Sequence, residues 1–176
     1  MAAAVILPPE PDLLAEFLVE VDDSKRLSPP TRARLYGRIY EVAEVAVGVL
    51  PSIEIDRIGI LPATLAAMEV ALAQLPTQPD HLLIDYIPKP LGDWPQQRIK
   101  RGESESMSIA AASIIAKVHR DRLMVEMEDR WPGYGFARHK GYGTAQHRTA
   151  LGRLGSTPIH RHTWAPLLQL RLPLET

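Results

Sequence analysis

Apolar residues run along this chain in two rhythms. Ala2 to Leu7 is an unbroken apolar stretch of strand length. Val45 to Leu50 is a second, and His81 to Tyr86, with Leu82-Leu-Ile at its centre, reads as a short third strand. Short apolar runs of this kind predict buried strands. Gln97 to Lys100 reads as an edge strand. Elsewhere the spacing is helical. Ser28, followed by Pro29-Pro30, opens a helix through about Val42, with serine as the cap and proline in the first turn. Pro62 to Leu75 carries apolar residues at helical spacing. Ser108 to Arg130 is a long helix, and a further helix lies near Thr144 to Leu154. Strands alternating with helices imply an α/β fold, a sheet with helices on its faces.

Composition narrows the class. The chain has 176 residues, 45% hydrophobic and 23% charged, which suits one compact domain with a real core over residues 1–176. It has no cysteine, so it can form neither a disulfide nor a thiolate metal site, and a cytoplasmic protein is expected. No apolar run approaches the roughly 20 residues of a membrane span, and the start lacks the charged region of a signal peptide.

The formal net charge of -1 hides an asymmetry. Between Arg130 and Leu174 there is no aspartate or glutamate, while Arg130, Arg138, Lys140, Arg148, Arg153, Arg161 and Arg171 all fall there, with four histidines among them. A basic C-terminal segment of about residues 130–176 fits a polyanionic partner whose phosphates supply the affinity. Inside it, Pro132 to Thr144 holds four glycines, two tyrosines, His139 and Lys140. Glycine permits close approach to a ligand, and tyrosine can stack on a sugar or a base.

The segment Ser108 to Asp121 is a helix of small and apolar residues that ends in charge. Ser113, Lys117 and Asp121 recur every four residues and share one face. Taken alone, that pattern fits a surface Lys–Asp pair as well as a carboxylate delivered to a site. Asp85 closes the apolar run Leu82-Leu-Ile, where an unpartnered carboxylate would cost desolvation energy.

Six segments together resemble bacterial ribonuclease HII: Asp23-Ser-Lys-Arg-Leu-Ser28, Ile60 to Met68, Leu82-Leu-Ile-Asp85, Ser108 to Asp121, Pro132 to Thr144 and Thr157-Pro-Ile-His-Arg161. They run in family order over nearly the whole chain. The resemblance implies an RNase H-like fold, a mixed sheet flanked by helices. It implies an endonuclease that hydrolyses the RNA strand of RNA–DNA hybrids and nicks DNA at embedded ribonucleotides, with Mn2+ or Mg2+ as cofactor. Asp85 and Asp121 then match the third and fourth acidic metal ligands. Tyr142 matches the tyrosine that stacks on the sugar at the RNA–DNA junction, with Tyr134 as the competitor for that role. Lys25, His139 and Lys140 would contact phosphates, and Lys117 would hold a phosphate or orient Asp121. A zinc site from His160 and His162 is not expected.

The chain also departs from the family. The first strand, with its Asp-Glu-Ala-Gly-Arg-Gly and two further acidic ligands, does not occur in these residues. It would be the central strand of the sheet, pairing with both Ala2–Leu7 and His81–Tyr86. The expectation is that the upstream reading frame encodes it, and that the chain without it has impaired activity. The alternative is a truncated, non-catalytic relative that binds hybrids. Glu103 stands where aspartate is usual, Glu105 where lysine is frequent, and Tyr86 where glycine is frequent. A nucleic-acid partner, no membrane and a monomeric state complete the expectations.

Overall fold

The computed structural model describes residues 1–165 and 167. In chain order the elements are β1 (Ala2–Ile6), α1 (Pro11–Leu18), α2 (Pro29–Val42), β2 (Glu44–Gly48), α3 (Ser52–Ile58), α4 (Ile60–Ala73), β3 (Leu82–Asp85), β4 (Gln96–Ile99), α5 (Gly102–Glu105), α6 (Met107–Arg130), α7 (Phe136–His139) and α8 (Ala145–Leu154). The described residues group into two compact units, one of Met1–Val49 and Thr64–Val118, the other of Leu50–Ala63 and the residues from His119 onward.

In the first unit, β1 and β2 form an antiparallel pair with Ala2 opposite Gly48 and Ile6 opposite Glu44. Successive side chains of a strand point to opposite faces. Ala3, Val5, Val45 and Val47 therefore pack with Leu18, Leu35, Ile39, Ala111, Ile114 and Ile115 from α1, α2 and α6. Ala4, Ile6 and Ala46 pack instead with Leu72, Leu75, Leu82, Ile84 and Leu91. Burying each such leucine or isoleucine is worth roughly 2 kcal/mol. The approach of α4 to β2 is close: a Cβ at Gly48 would lie 1.9 Å from the Ala67 carbonyl oxygen and 2.8 Å from Ala71 N.

β3 and β4 form a second pair, parallel, with Leu82 opposite Gln96 and Asp85 opposite Ile99. The expected mixture of antiparallel and parallel pairing is present, but it is divided between two ribbons, because β1 and β3 do not bond to each other. An apolar groove of about 670 Å³ separates them, lined by Ala2 to Leu7 on one side and His81 to Asp85 on the other. It lies where the central strand was expected.

Helix starts follow their caps. Ser28 Oγ accepts the Thr31 amide at 3.3 Å at the head of α2, and Thr144 Oγ1 accepts that of His147 at 3.2 Å at the head of α8. The second unit buries Met127, Tyr134, Phe136, Ala150, Leu151 and Leu167. Arg171, counted above in the basic segment, lies outside the described residues.

Candidate active site

The expected site residues fall in both units. In the first, Asp85 sits at the C-terminal end of β3, exposed. Its Oδ1 accepts the amides of Tyr86 and Gly102, both at 3.1 Å, which fixes the carboxylate without covering it. Beside it a polar recess of about 470 Å³ is lined by Asp23, Lys25, Asp85, Tyr86, Lys100 and Glu103.

Glu103 organises that recess. Its side chain is only 10% exposed. One carboxylate oxygen accepts the Ser24 amide at 3.1 Å and the Ser24 hydroxyl at 3.0 Å. The other receives Lys25 Nζ at 2.6 Å. Burial pushes its pKa up, but hydrogen bonds from Lys25, Ser113 and Ser24 outweigh burial and hold it at about 2. The hydrogen bond to Glu103 in turn raises the pKa of Lys25. Ser24 and Ser113 share a 2.8 Å hydrogen bond, which ties the Asp-Ser-Lys turn to α6. Lys25 is exposed, and it is held by a carboxylate 78 positions away in sequence. Only that tertiary pairing reveals the role of Glu103.

In the second unit, Asp121 Oδ1 receives Nη2 of Arg120 at 2.9 Å and Nε at 3.3 Å. The same guanidinium lies 4.5 Å from the centroid of the Tyr142 ring, a distance at which a cation is attracted to an aromatic face. Arg120 therefore touches two of the expected site residues. In the sequence nothing sets Arg120 apart from the other basic residues of α6. Lys117, one turn earlier on that helix, is half-buried.

The two tyrosines separate clearly. Tyr134 is 5% exposed, stacks on Phe136 with centroids 5.2 Å apart and donates its hydroxyl to Gly155 O at 2.8 Å. Tyr142 is 55% exposed. Lys140 is half-buried, has a positive φ of 51° and donates Nζ to Ala137 O. His139 corrects the expectation of a phosphate contact. It is buried, with Nε2 2.8 Å from Tyr134 O and Nδ1 accepting the Gly141 amide at 3.2 Å. Both ring nitrogens are committed to the backbone of its own loop. Glu128 anchors the other side of that loop by accepting the amides of Gly133 and Ala137.

Carboxylate oxygens such as those of Asp85 and Asp121 suit a hard divalent cation. Among the described residues, no group of three or more His, Cys, Asp or Glu is arranged to hold a metal ion.

The family model for ribonuclease HII matches residues 1–167. The chain belongs to the ribonuclease HII family. A ribonuclease HII from Geobacter metallireducens is 53% identical over 165 residues, covering 93% of this chain and 75% of that protein. The crystal structure of ribonuclease H2 from Pyrococcus horikoshii matches with a TM-score of 0.72 at 20% identity, over 96% of this chain and 95% of that one. The structure of Bst-RNase HIII in complex with Mn2+ matches with a TM-score of 0.70 at 20% identity, over 96% of this chain and 68% of that one. The structural matches bear out the RNase H-like fold. Ribonuclease HII membership makes the chain an endoribonuclease, a hydrolase acting on the RNA of RNA–DNA hybrids. Nothing favours the non-catalytic alternative. No helix among the described residues is long and apolar enough to cross a membrane.

Proposed function

We propose that Asp85 and Asp121 are metal ligands of this ribonuclease HII, and that the enzyme also nicks DNA at single embedded ribonucleotides. The observation that carries the reading is Asp85: a carboxylate at the end of a strand, oriented by two amides and left exposed beside a polar recess. Mn2+ or Mg2+, held by such carboxylates, would activate a water and neutralise charge on the phosphate. Tyr142, exposed where Tyr134 is buried, stacks on the sugar at the ribo-to-deoxy step. Lys25, Lys117 and Lys140 face phosphates, whereas His139 leaves that set. The groove between β1 and β3 supports the further reading that the family's first strand seats there and brings the remaining acidic ligands. The protein works as a cytoplasmic monomer.

The test is paired. In the protein carrying that strand, Asp85→Asn or Asp121→Asn should lower cleavage at an embedded ribonucleotide by roughly a hundredfold or more. Hybrid affinity should persist, because removing a negative charge does not weaken attraction to phosphate. Titration of Mn2+ should show weaker binding in both variants. Full cleavage with unchanged Mn2+ affinity would remove these residues from the metal site.

A further inference from the structure

The second unit buries a row of histidines that the chemistry above does not use. His139 and His147 stack with centroids 4.5 Å apart. His147 Nε2 lies 3.1 Å from His160 Nε2. His147 Nδ1 lies 3.0 Å from the carbonyl oxygen of Tyr142. His160 Nδ1 lies 3.0 Å from the Thr157 amide nitrogen and 2.8 Å from its hydroxyl. His147 and His160 are both buried, and Phe136 packs against the two rings at 5.5 and 5.6 Å.

The backbone fixes where each proton sits. An amide N–H only donates, so His160 Nδ1 accepts from Thr157 and carries no hydrogen. A neutral imidazole then holds its proton on Nε2, and His160 Nε2–H donates to His147 Nε2. His147 Nε2 is therefore the acceptor, so His147 carries its proton on Nδ1 and donates it to the Tyr142 carbonyl. On the other side of the same residue, the Tyr142 amide donates to His139 O at 2.9 Å. The chain Thr157–His160–His147 is a one-directional series of donors that ends on the main chain of Tyr142. Both rings must be neutral for it to exist. Burial, the largest cause, lowers the pKa of both histidines, that of His160 to about 4.

We propose that His147 and His160 are positioning residues that hold the Tyr142 backbone, and through it the exposed ring, for recognition of the ribo-to-deoxy step. The inference rests on the reading of Tyr142 as the sugar-stacking residue and adds what fixes that residue in place. Neither histidine touches the nucleic acid. Each acts by denying the Gly141-Tyr142-Gly143 turn the freedom its flanking glycines would allow. Asparagine at position 147 can offer an amide N–H where imidazole offers Nδ1–H. Leucine fills similar space and offers nothing.

Two measurements test this. The first uses the unaltered chain with isotope-labelled histidine, at neutral pH, and reads tautomers by long-range proton–nitrogen correlation. His160 should be protonated at Nε2 and His147 at Nδ1; the reverse order in either ring would overturn the proposal without any variant having to fold. The second is the ratio of affinities for a duplex with one ribo-to-deoxy step and for a uniform hybrid. Loss of one stacked ring is worth about tenfold in affinity, so Tyr142→Ala should lower the ratio by about that factor. His147→Leu and His160→Leu should lower it by about three- to tenfold. His147→Asn should restore it to within about twofold, since one backbone hydrogen bond is regained. A ratio unchanged by Tyr142→Ala would show that the reading of Tyr142 has failed. A ratio lowered by Tyr142→Ala but not by either leucine variant would show that the ring needs no such support, and would overturn the positioning role alone.

Discussion

The recess around Glu103 and the histidine row behind Tyr142 solve the same problem by opposite means. Each must hold an expected substrate contact, Lys25 in one case and Tyr142 in the other. The first uses charge: a carboxylate kept ionised, with Lys25 and Ser24 donating to it at 2.6 to 3.1 Å. The second uses neutrality: imidazoles kept uncharged by burial, donating in series to a carbonyl. Acid should therefore dismantle them in separate windows. The lesson is that a cluster of ionisable side chains need not be an ionic one. What decides is whether the protons are fixed by partners or by exclusion of water.

The largest effect that sharpens this contrast is structural. Phe136 is 1% exposed and packs on His139, His147 and His160. Phe136→Ala should cost about 3–5 kcal/mol, and it should also let water reach the rings. Thermal or denaturant unfolding measures the loss. A change below about 1 kcal/mol would mean the histidines do not depend on that ring.

The next effect is pH. His160 has a folded pKa of about 4 against an ordinary 6.5. The unfolded chain therefore binds its proton first, and stability present above pH 6.5 is lost as pH falls towards 4. By linkage this amounts to about 3 kcal/mol. Glu103, held at about 2 against 4.5, keeps its contribution down to pH 4.5 and loses it between there and 2. Residue-resolved hydrogen exchange should show the amides of α7 and α8 opening before those of the Asp23–Lys25 turn. Simultaneous opening would break the comparison.

The smallest effect concerns the ionic side alone. Glu103→Gln should cost about 1–2 kcal/mol, because Lys25 is largely exposed and its share is screened. The loss should shrink in high salt, whereas the cost of Phe136→Ala should not. Salt-dependent melting of the two variants, side by side, checks this.

Much of the fold was legible. The Ser28-Pro29-Pro30 cap, the apolar runs at β1, β2 and β3, and the long α6 all lie within a residue or two of expectation. Local chemistry determines such elements. Missed were α1 and α3, of eight and seven residues, and the four-residue helices α5 and α7. The first follows Pro8-Pro9 and begins at Pro11, so it reads as loop. The second, Ser-Ile-Glu-Ile-Asp-Arg-Ile, is too short for a helical period to emerge. Of the candidate site, the place of Asp85 at the end of an apolar strand was legible. The burial of His139 was not, because nothing local distinguishes it from Arg138 beside it; its packing comes from His147 and Phe136. Tyr134 and Tyr142 look alike in the sequence, and only packing on Phe136 parts them. Glu103 and Arg120 act through partners that sequence spacing does not announce.

Gly48 carries one more consequence. Because the Ala67 carbonyl occupies the place of a Cβ there, the distance between β2 and α4 is set by a missing methyl group. A side chain could enter only by lifting the helix, and α4 also lines the groove through Thr64, Met68 and Leu72. The width of the slot is thus coupled to a single hydrogen atom on a residue that does not itself line it. Drift at this position is closed to every other amino acid unless the helix moves with it. A lineage that lost the glycine would have to rebuild both layers at once.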